Sequence, residues 1–315
     1  MGLFSGREVS ILGTGMYVPE RIMTNDDLSK MVETSDEWIR ERTGIRERRI
    51  ARDDELTSDL AYNASLVALK DSGVLPSELD MVIVATNAPD TLFPGVAPKL
   101  QGKLKASRAG AFDVQSGCTG CIYAITVAVS GIACGLWNKV LVAGAEVLCR
   151  IINWQDRNTC VLFGDGAGAL VLGPSLSGQG HFISAELRSD GARSDLITLP
   201  GGLIEHPASE ETLREGLHYV HMKGNDVFKF VNRLLPSFLK KMVQTAGYQS
   251  DQIDWWLFHQ ANLRIVEGVL RRLDVDMDKA FVNLDRYGNT SAASIFLALA
   301  ELFDSVNLVK GQKLV

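Results

Sequence analysis

Short β-rich runs alternating with longer helical patterns predict an α/β protein whose layers enclose mixed, largely buried sheets. Two observations carry that reading. Residues 81–86, 109–114, 139–143 and 169–172 are compact apolar runs of strand length, and helical spacings such as residues 122–136 and 295–303 stand between or after them. The chain is also long enough, at 315 residues, for two subdomains sharing one large core.

Composition narrows the function classes. A content of 46% hydrophobic and 22% charged residues is that of an ordinary globular protein. The formal charge of −6 argues against nucleic acid as a partner, which needs a basic field. No stretch reaches about 18 uninterrupted apolar residues, so no membrane span is expected. The N-terminus lacks a basic leader, and Gly6 stands where the myristoylation pattern wants Ser or Thr. A cytoplasmic, soluble protein is the expectation. Five cysteines, an odd number without a small-scaffold pattern, fit reduced thiols.

Along the chain, the Gly- and Pro-bearing stretch 173–180 is the best candidate for a seam, which divides the protein into residues 1–174 and 175–315. Residues 190–215 have low periodicity and carry Gly191, Pro200, Gly201, Gly202 and Pro207. They read as a surface excursion or, more sharply, a substrate-tunnel wall or lid.

Three segments far apart in sequence carry the chemistry. Ser116-Gly117-Cys118-Thr119-Gly120, His259-Gln260-Ala261-Asn262 and Tyr287-Gly288-Asn289-Thr290-Ser291 each follow an apolar or mixed segment and open a helix-like one. Together they offer a thiol, an imidazole and an amide. A deprotonated Cys is a nucleophile, and a His with an Asn can hold the oxyanion formed when a thioester is attacked or decarboxylated. Cys118, placed at a strand-to-helix turn, lies where orphan N–H groups and the helix dipole favour thiolate. On local grounds alone, Cys118 would be a small buried hydrophobe, His259 a satisfied core residue and Asn289 a turn or cap.

Cys118-Thr119-Gly120-Cys121 also reads as C-x-x-C. A zinc site would want a second ligand pair, which Cys134, Cys149 and Cys160 do not provide at suitable spacing. Residues 164–168, Gly-Asp-Gly-Ala-Gly, have the wrong spacing for dinucleotide binding and precede an apolar strand, so a tight supporting loop is expected there.

The three segments, in that order, resemble the Cys-His-Asn condensing enzymes of the thiolase superfamily, most closely the β-ketoacyl-acyl-carrier-protein synthase III branch. Further matches lie in residues 34–39 and 42–48, in Asp156-Arg157-Asn158-Thr159 and in residues 163–169. The resemblance implies two topologically similar halves packed as a five-layered αβαβα sandwich, and a homodimer. It implies that Cys118 is acylated by an acyl-CoA, and that His259 and Asn289 stabilise the enolate formed as malonyl-acyl carrier protein loses CO₂. The product is then a 3-oxoacyl-acyl carrier protein, and no metal or redox cofactor is required.

The same resemblance implies that Trp38, Arg42 and Arg157 hold the adenine and phosphates of coenzyme A and that Asn262 touches pantetheine. Phe93 matches a residue that closes the partner's acyl pocket. Cys121 stands where the family more often has a large aromatic, leaving room for a longer primer. Arg264, Arg271 and Arg272 on one helix, joined by Lys229, match a dock for an acidic carrier protein, without which two acidic partners would repel. Family members normally continue past the position of Val315 into a final strand and a Gly-rich loop, so the second half is expected to lack that strand and loop. A condensing enzyme of secondary metabolism, or a silent scaffold retaining only the binding surfaces, are the alternatives.

Overall fold

The computed structural model describes residues 2–176 and 179–315. At its centre is a five-stranded sheet of β1 (Val9–Tyr17), β2 (Met81–Ala85), β3 (Gly110–Val114), β4 (Val140–Glu146) and β5 (Gly166–Pro174). The spatial order is β1-β5-β4-β2-β3. β2 runs parallel to both β3 and β4, while β5 is antiparallel to β4 and β1. Every residue of β4 is buried, as expected of a strand covered on both faces.

The strand period of two divides the core between two helical layers. Val82 and Val84 of β2 face α1 (Thr57–Ser72) and α2 (Val96–Leu104), in one cluster with Leu60, Ala64 and Leu100. Ile83 and Ala85 face the opposite way, toward α3 (Gly120–Ala133) and Phe296 of α6 (Ser294–Ser305). Beyond that layer, residues 254–257 form a second, shorter set of pairings. Trp256 N–H donates to Lys279 O at 2.8 Å, and Leu257 N–H donates to Val315 O at 2.7 Å. Parallel bridges join Trp255 to Leu314 and Trp256 to Ala280. Outside them, α4 (Gly224–Thr245) and α5 (Leu263–Leu273) bury Leu239, Val243, Val266, Val269 and Leu270 against Trp256 and Phe258. The order is helices, sheet, helices, short sheet, helices: the five-layered αβαβα sandwich.

Three expectations change. The glycine-rich segment expected as a tight loop is mostly strand, because β5 starts at Gly166. Its glycines serve close packing: a Cβ on Gly168 would lie 2.6 Å from the Phe296 Cβ, and one on Gly144 would lie 2.5 Å from the same ring. Residues 190–215 are more ordered than a plain excursion. They hold a short strand, Ile197–Thr198, paired with His221–Met222, and a helix, Glu210–Arg214, capped by Ser209. In the second half, where no closing strand was expected, Lys313 to Val315 pair along residues 254–257. The expected seam, residues 173–180, falls partly outside the described residues.

Candidate active site

The carboxyl ends of the parallel strands β2, β3 and β4 open on one edge of the sheet, the usual location of sites in such folds. From β3 the chain turns through Gly117 at φ +58°, a left-handed conformation that favours glycine, and enters α3 at Gly120. Cys118 sits in that turn, half-buried. Burial pushes its thiol above the ordinary cysteine range; the Ser291 hydroxyl, 3.5 Å from Sγ, pulls it back, and the Glu146 charge pushes it further up. Desolvation thus opposes the thiolate that the helix start favours.

His259 follows the inner strand of the short sheet. Its Nδ1 lies 2.7 Å from Ser294 Oγ. That hydroxyl has one proton and a carbonyl acceptor, Ser291 O at 2.9 Å, while Gln260 N–H can only donate to it. The hydroxyl proton thus goes to Ser291 O, Nδ1–H donates to Ser294, and Nε2 carries the lone pair. Burial lowers the His259 pKa to about 4, against the opposing pull of the Glu146 charge and the Ser291 carbonyl, so the ring is neutral at pH 7.

Asn289 is buried at the far side of a tight turn at Gly288. Its backbone is held at both ends: its N–H donates to Leu162 O at 2.8 Å, and its carbonyl accepts from Gly164 N–H at 3.1 Å. The side-chain oxygen accepts from Ser291 N–H at 2.9 Å, which turns Nδ2 away as a free donor among the described residues. Ser291 is thus the common neighbour of all three: its hydroxyl faces Cys118, its amide fixes Asn289, and its carbonyl is bound by the serine that orients His259.

Sequence reasoning missed the group beneath them. Glu146, at the end of β4 and fully buried, accepts from Asn87 N–H at 3.0 Å, Asn87 Nδ2 at 2.8 Å, Ala88 N–H at 3.1 Å and Ala292 N–H at 3.3 Å. Burial pushes its carboxyl up and these donors pull it back. An acid closing a wholly apolar strand is the feature that could have drawn attention to it.

The remaining predicted residues fall into five places. Arg157 and Arg42 lie 5.0 Å and 6.0 Å from the Trp38 ring centroid, so these three are brought together. Asn262 joins them, capping α5 through Arg264 N–H and donating to Arg42 O at 3.0 Å. Both ends of its amide are thereby engaged within the protein. Cys121 packs fully buried with Ile83, Ala85 and Ala292, and burial pushes its thiol up to about 12. Phe93 is 82% exposed, so it is not a core side chain of this subunit. Arg264, Arg271 and Arg272 line one groove with Phe228 and Glu267, with Arg272 bonded to Asn232 O. Lys229 is not in that groove: it lies in another with Arg193, Lys223 and Arg233, and the expected four-residue dock is split.

A cysteine, a neutral histidine and an outward-facing amide gathered between the layers of a thiolase-type sandwich define a condensing enzyme. The sequence relationship is closer still, and the chain belongs to the β-ketoacyl-[acyl-carrier-protein] synthase III family. The models of 3-oxoacyl-[acyl-carrier-protein (ACP)] synthase III and of its C-terminal domain match residues 112–191 and 243–315. The chain is 49% identical over 301 residues to the β-ketoacyl-[acyl-carrier-protein] synthase III of Caldanaerobacter subterraneus, covering 96% of this chain and 91% of that one. It is 50% identical over 295 residues to the synthase III of Symbiobacterium thermophilum, covering 94% and 89%. The crystal structure of 3-oxoacyl-[acyl-carrier-protein] synthase III from Aquifex aeolicus superposes with a TM-score of 0.89 at 39% identity, over 97% and 94% of the two chains.

Proposed function

We propose that this chain starts fatty acid synthesis by condensing an acyl-CoA primer with malonyl-acyl carrier protein, using Cys118, His259 and Asn289. Family membership supports the reaction, and the convergence on Ser291 supports the residues. In the first half-reaction Cys118 Sγ attacks the primer carbonyl, its proton passes to His259 Nε2, and coenzyme A leaves as its thiolate. In the second, malonyl-acyl carrier protein loses CO₂. Its electron pair becomes an enolate, whose oxygen faces Asn289 Nδ2 and the newly protonated Nε2. The enolate carbon attacks the acyl-enzyme, a 3-oxoacyl-acyl carrier protein leaves, and the Cys118 thiolate recovers its proton from His259. The neutral resting imidazole thereby acts first as acceptor and then as donor, without a metal or redox cofactor.

Coenzyme A enters past Trp38, Arg42 and Arg157, whose clustered guanidinium groups suit its phosphates. Asn262 meets the pantetheine arm and Cys121 bounds the primer. Arg264 and Arg271 receive the acidic carrier protein, with Lys229 contributing from its own groove. Phe93, exposed in one subunit, closes the acyl pocket of a second copy in a homodimer. Residues 1–174 carry the nucleophile and residues 175–315 the His and Asn. No described helix is long and apolar enough to cross a membrane, and a cytoplasmic location is part of the same proposal. Intact-protein mass after incubation with acyl-CoA tests the reading. A single acyl adduct mapped to Cys118 is expected, and an unmodified protein would overturn it in favour of the silent scaffold.

A further inference from the structure

We infer that Ser291 is a catalytic residue that donates a hydrogen bond to the Cys118 sulfur, and that Asn87 and Glu146 are positioning residues that aim it. The inference rests on Cys118 being the nucleophile, and it adds a part that the Cys-His-Asn trio does not contain.

A chain of bonds with one permitted direction carries it. Glu146 is enclosed by donors, so the group of Asn87 that faces it at 2.8 Å must be the NH₂ and not the carbonyl. That NH₂ has two hydrogens, and the second points to Ser291 Oγ at 3.1 Å. With that lone pair occupied, the hydroxyl still owns one hydrogen; the Glu146 carboxylate is a nearby competitor for it, and Cys118 Sγ, at 3.5 Å, is the acceptor toward which the hydroxyl donates. The backbone points the same way. Ser291 holds φ +47°, a left-handed conformation that a non-glycine residue rarely adopts and that collects at functional sites. That conformation lets one residue present its hydroxyl to the sulfur, its amide to Asn289 and its carbonyl to Ser294.

The sulfur needs such a donor twice. In acylation it becomes a nucleophile from a buried resting thiol, and in condensation it is expelled as thiolate. The titratable groups around it are Glu146 from the end of β4, Cys121 from α3 and His259 from the segment before α5. Burial and the Glu146 charge disfavour the thiolate, while Cys121, its thiol pushed up to about 12, stays neutral; a directed hydroxyl offsets the first two. The two positioning residues also join the layers, since Glu146 and Asn87 lie at the ends of β4 and β2 while Ser291 and Ala292 precede α6.

The test is the pH profile of iodoacetamide alkylation at Cys118, read by mass spectrometry on the full chain. Ser291→Ala removes the hydroxyl. Ser291→Gly removes it too but relaxes the positive φ, so a loss shared by both cannot come from backbone strain. In both variants the midpoint is expected about one pH unit higher and the rate at pH 7 about 10-fold lower. Asn87→Ala should move the midpoint in the same direction by less, because the hydroxyl is then free to turn toward Glu146. Wild-type profiles in both Ser291 variants would overturn the inference, placing the hydroxyl on Glu146 instead. A wild-type protein whose Cys118 alkylates but takes no acyl group from acyl-CoA would refute the nucleophile reading alone. A shifted midpoint in the variants would still support the hydrogen bond.

Discussion

The proposed catalytic groups are held by different means in the two parts of the chain that carry them. Cys118 hangs from a five-stranded ladder whose central strands are buried on both faces, and its position follows from β3, Gly117 and α3. His259 and Asn289 belong to the half whose pairings are few and short. They are placed instead by side-chain and backbone bonds through Ser291 and Ser294. A ladder distributes error over many bonds, whereas a cluster of single bonds does not. Substitutions on the first half should therefore be local or global, and those on the second should be graded.

The largest expected effect is local. Cys118→Ala should abolish the acyl-enzyme while leaving the thermal midpoint unchanged, because the ladder does not depend on that side chain. A persistent adduct on Cys121 would break the comparison at its root. Next in size is a packing effect that crosses from one half to the other. Phe296, fully buried on the glycines of β4 and β5, should cost about 3–5 kcal/mol when truncated to Ala, measured as a lower denaturation midpoint in urea. A loss below about 1 kcal/mol would mean that α6 is held mainly from its other side.

How much of this was legible in the sequence follows the same division. Four of the five central strands and α3 read clearly because compact apolar runs leave little choice of structure, and the Cys, His and Asn motifs stood out at loop positions; β1 was not read, because Ser10, Gly13, Thr14 and Gly15 interrupt its apolar residues. Strand ends were misjudged at Gly144, Ala145 and Gly166 to Gly168, where small residues of weak β-propensity are held by the α6 contact that periodicity cannot show. Glu146, Asn87 and Ser294 were not legible as site residues. Each acts through a partner at least 35 residues away in the chain, as the 35-residue span between His259 and Ser294 illustrates. Lys229 was grouped with Arg264 and Arg271 through the family resemblance, but it lines a different groove from theirs.

The third prediction concerns pH. His259 titrates at about 4 in the folded protein against an ordinary 6.5. Between those values the unfolded chain binds more protons, so stability rises with pH across that window. The contribution is complete above pH 6.5 and lost as the pH falls to 4; its full size is about 3 kcal/mol. Comparing denaturation of the wild type with His259→Gln should show a smaller slope for the variant between pH 4 and 6.5. The difference isolates His259 from Glu146, whose raised pKa acts with the opposite sign. Parallel profiles would show that the imidazole is solvated and its half of the site open.

Ser294→Ala sharpens the comparison at a single bond. Without the hydroxyl, His259 Nδ1 loses its acceptor and the ring its preferred tautomer, so kcat should fall about 10- to 100-fold. The loss should be largest in the condensation step, where Nε2 must donate as well as accept. Acylation of Cys118 and the folding midpoint should change less. Equal losses in both half-reactions would mean that Ser294 supports the fold of the turn and not the proton position.

The smallest effect is expected at the outer face of α5, where neither ladder nor buried bond is at stake. Arg264 is exposed, and its backbone N–H is already satisfied by the Asn262 cap, so charge reversal leaves the helix start intact. Arg264→Glu should raise KM for malonyl-acyl carrier protein by about 3- to 10-fold, weaken the salt dependence of that substrate and leave acylation by acyl-CoA nearly unchanged. Asn262 also donates to Arg42 O, so a disturbed cap would instead reach the Trp38 cluster and raise KM for acyl-CoA. The two outcomes separate a docking charge from a structural one. Unchanged kinetics with both substrates would leave α5 as a solvated basic face, with carrier recognition resting on Arg271 and the groove of Lys229.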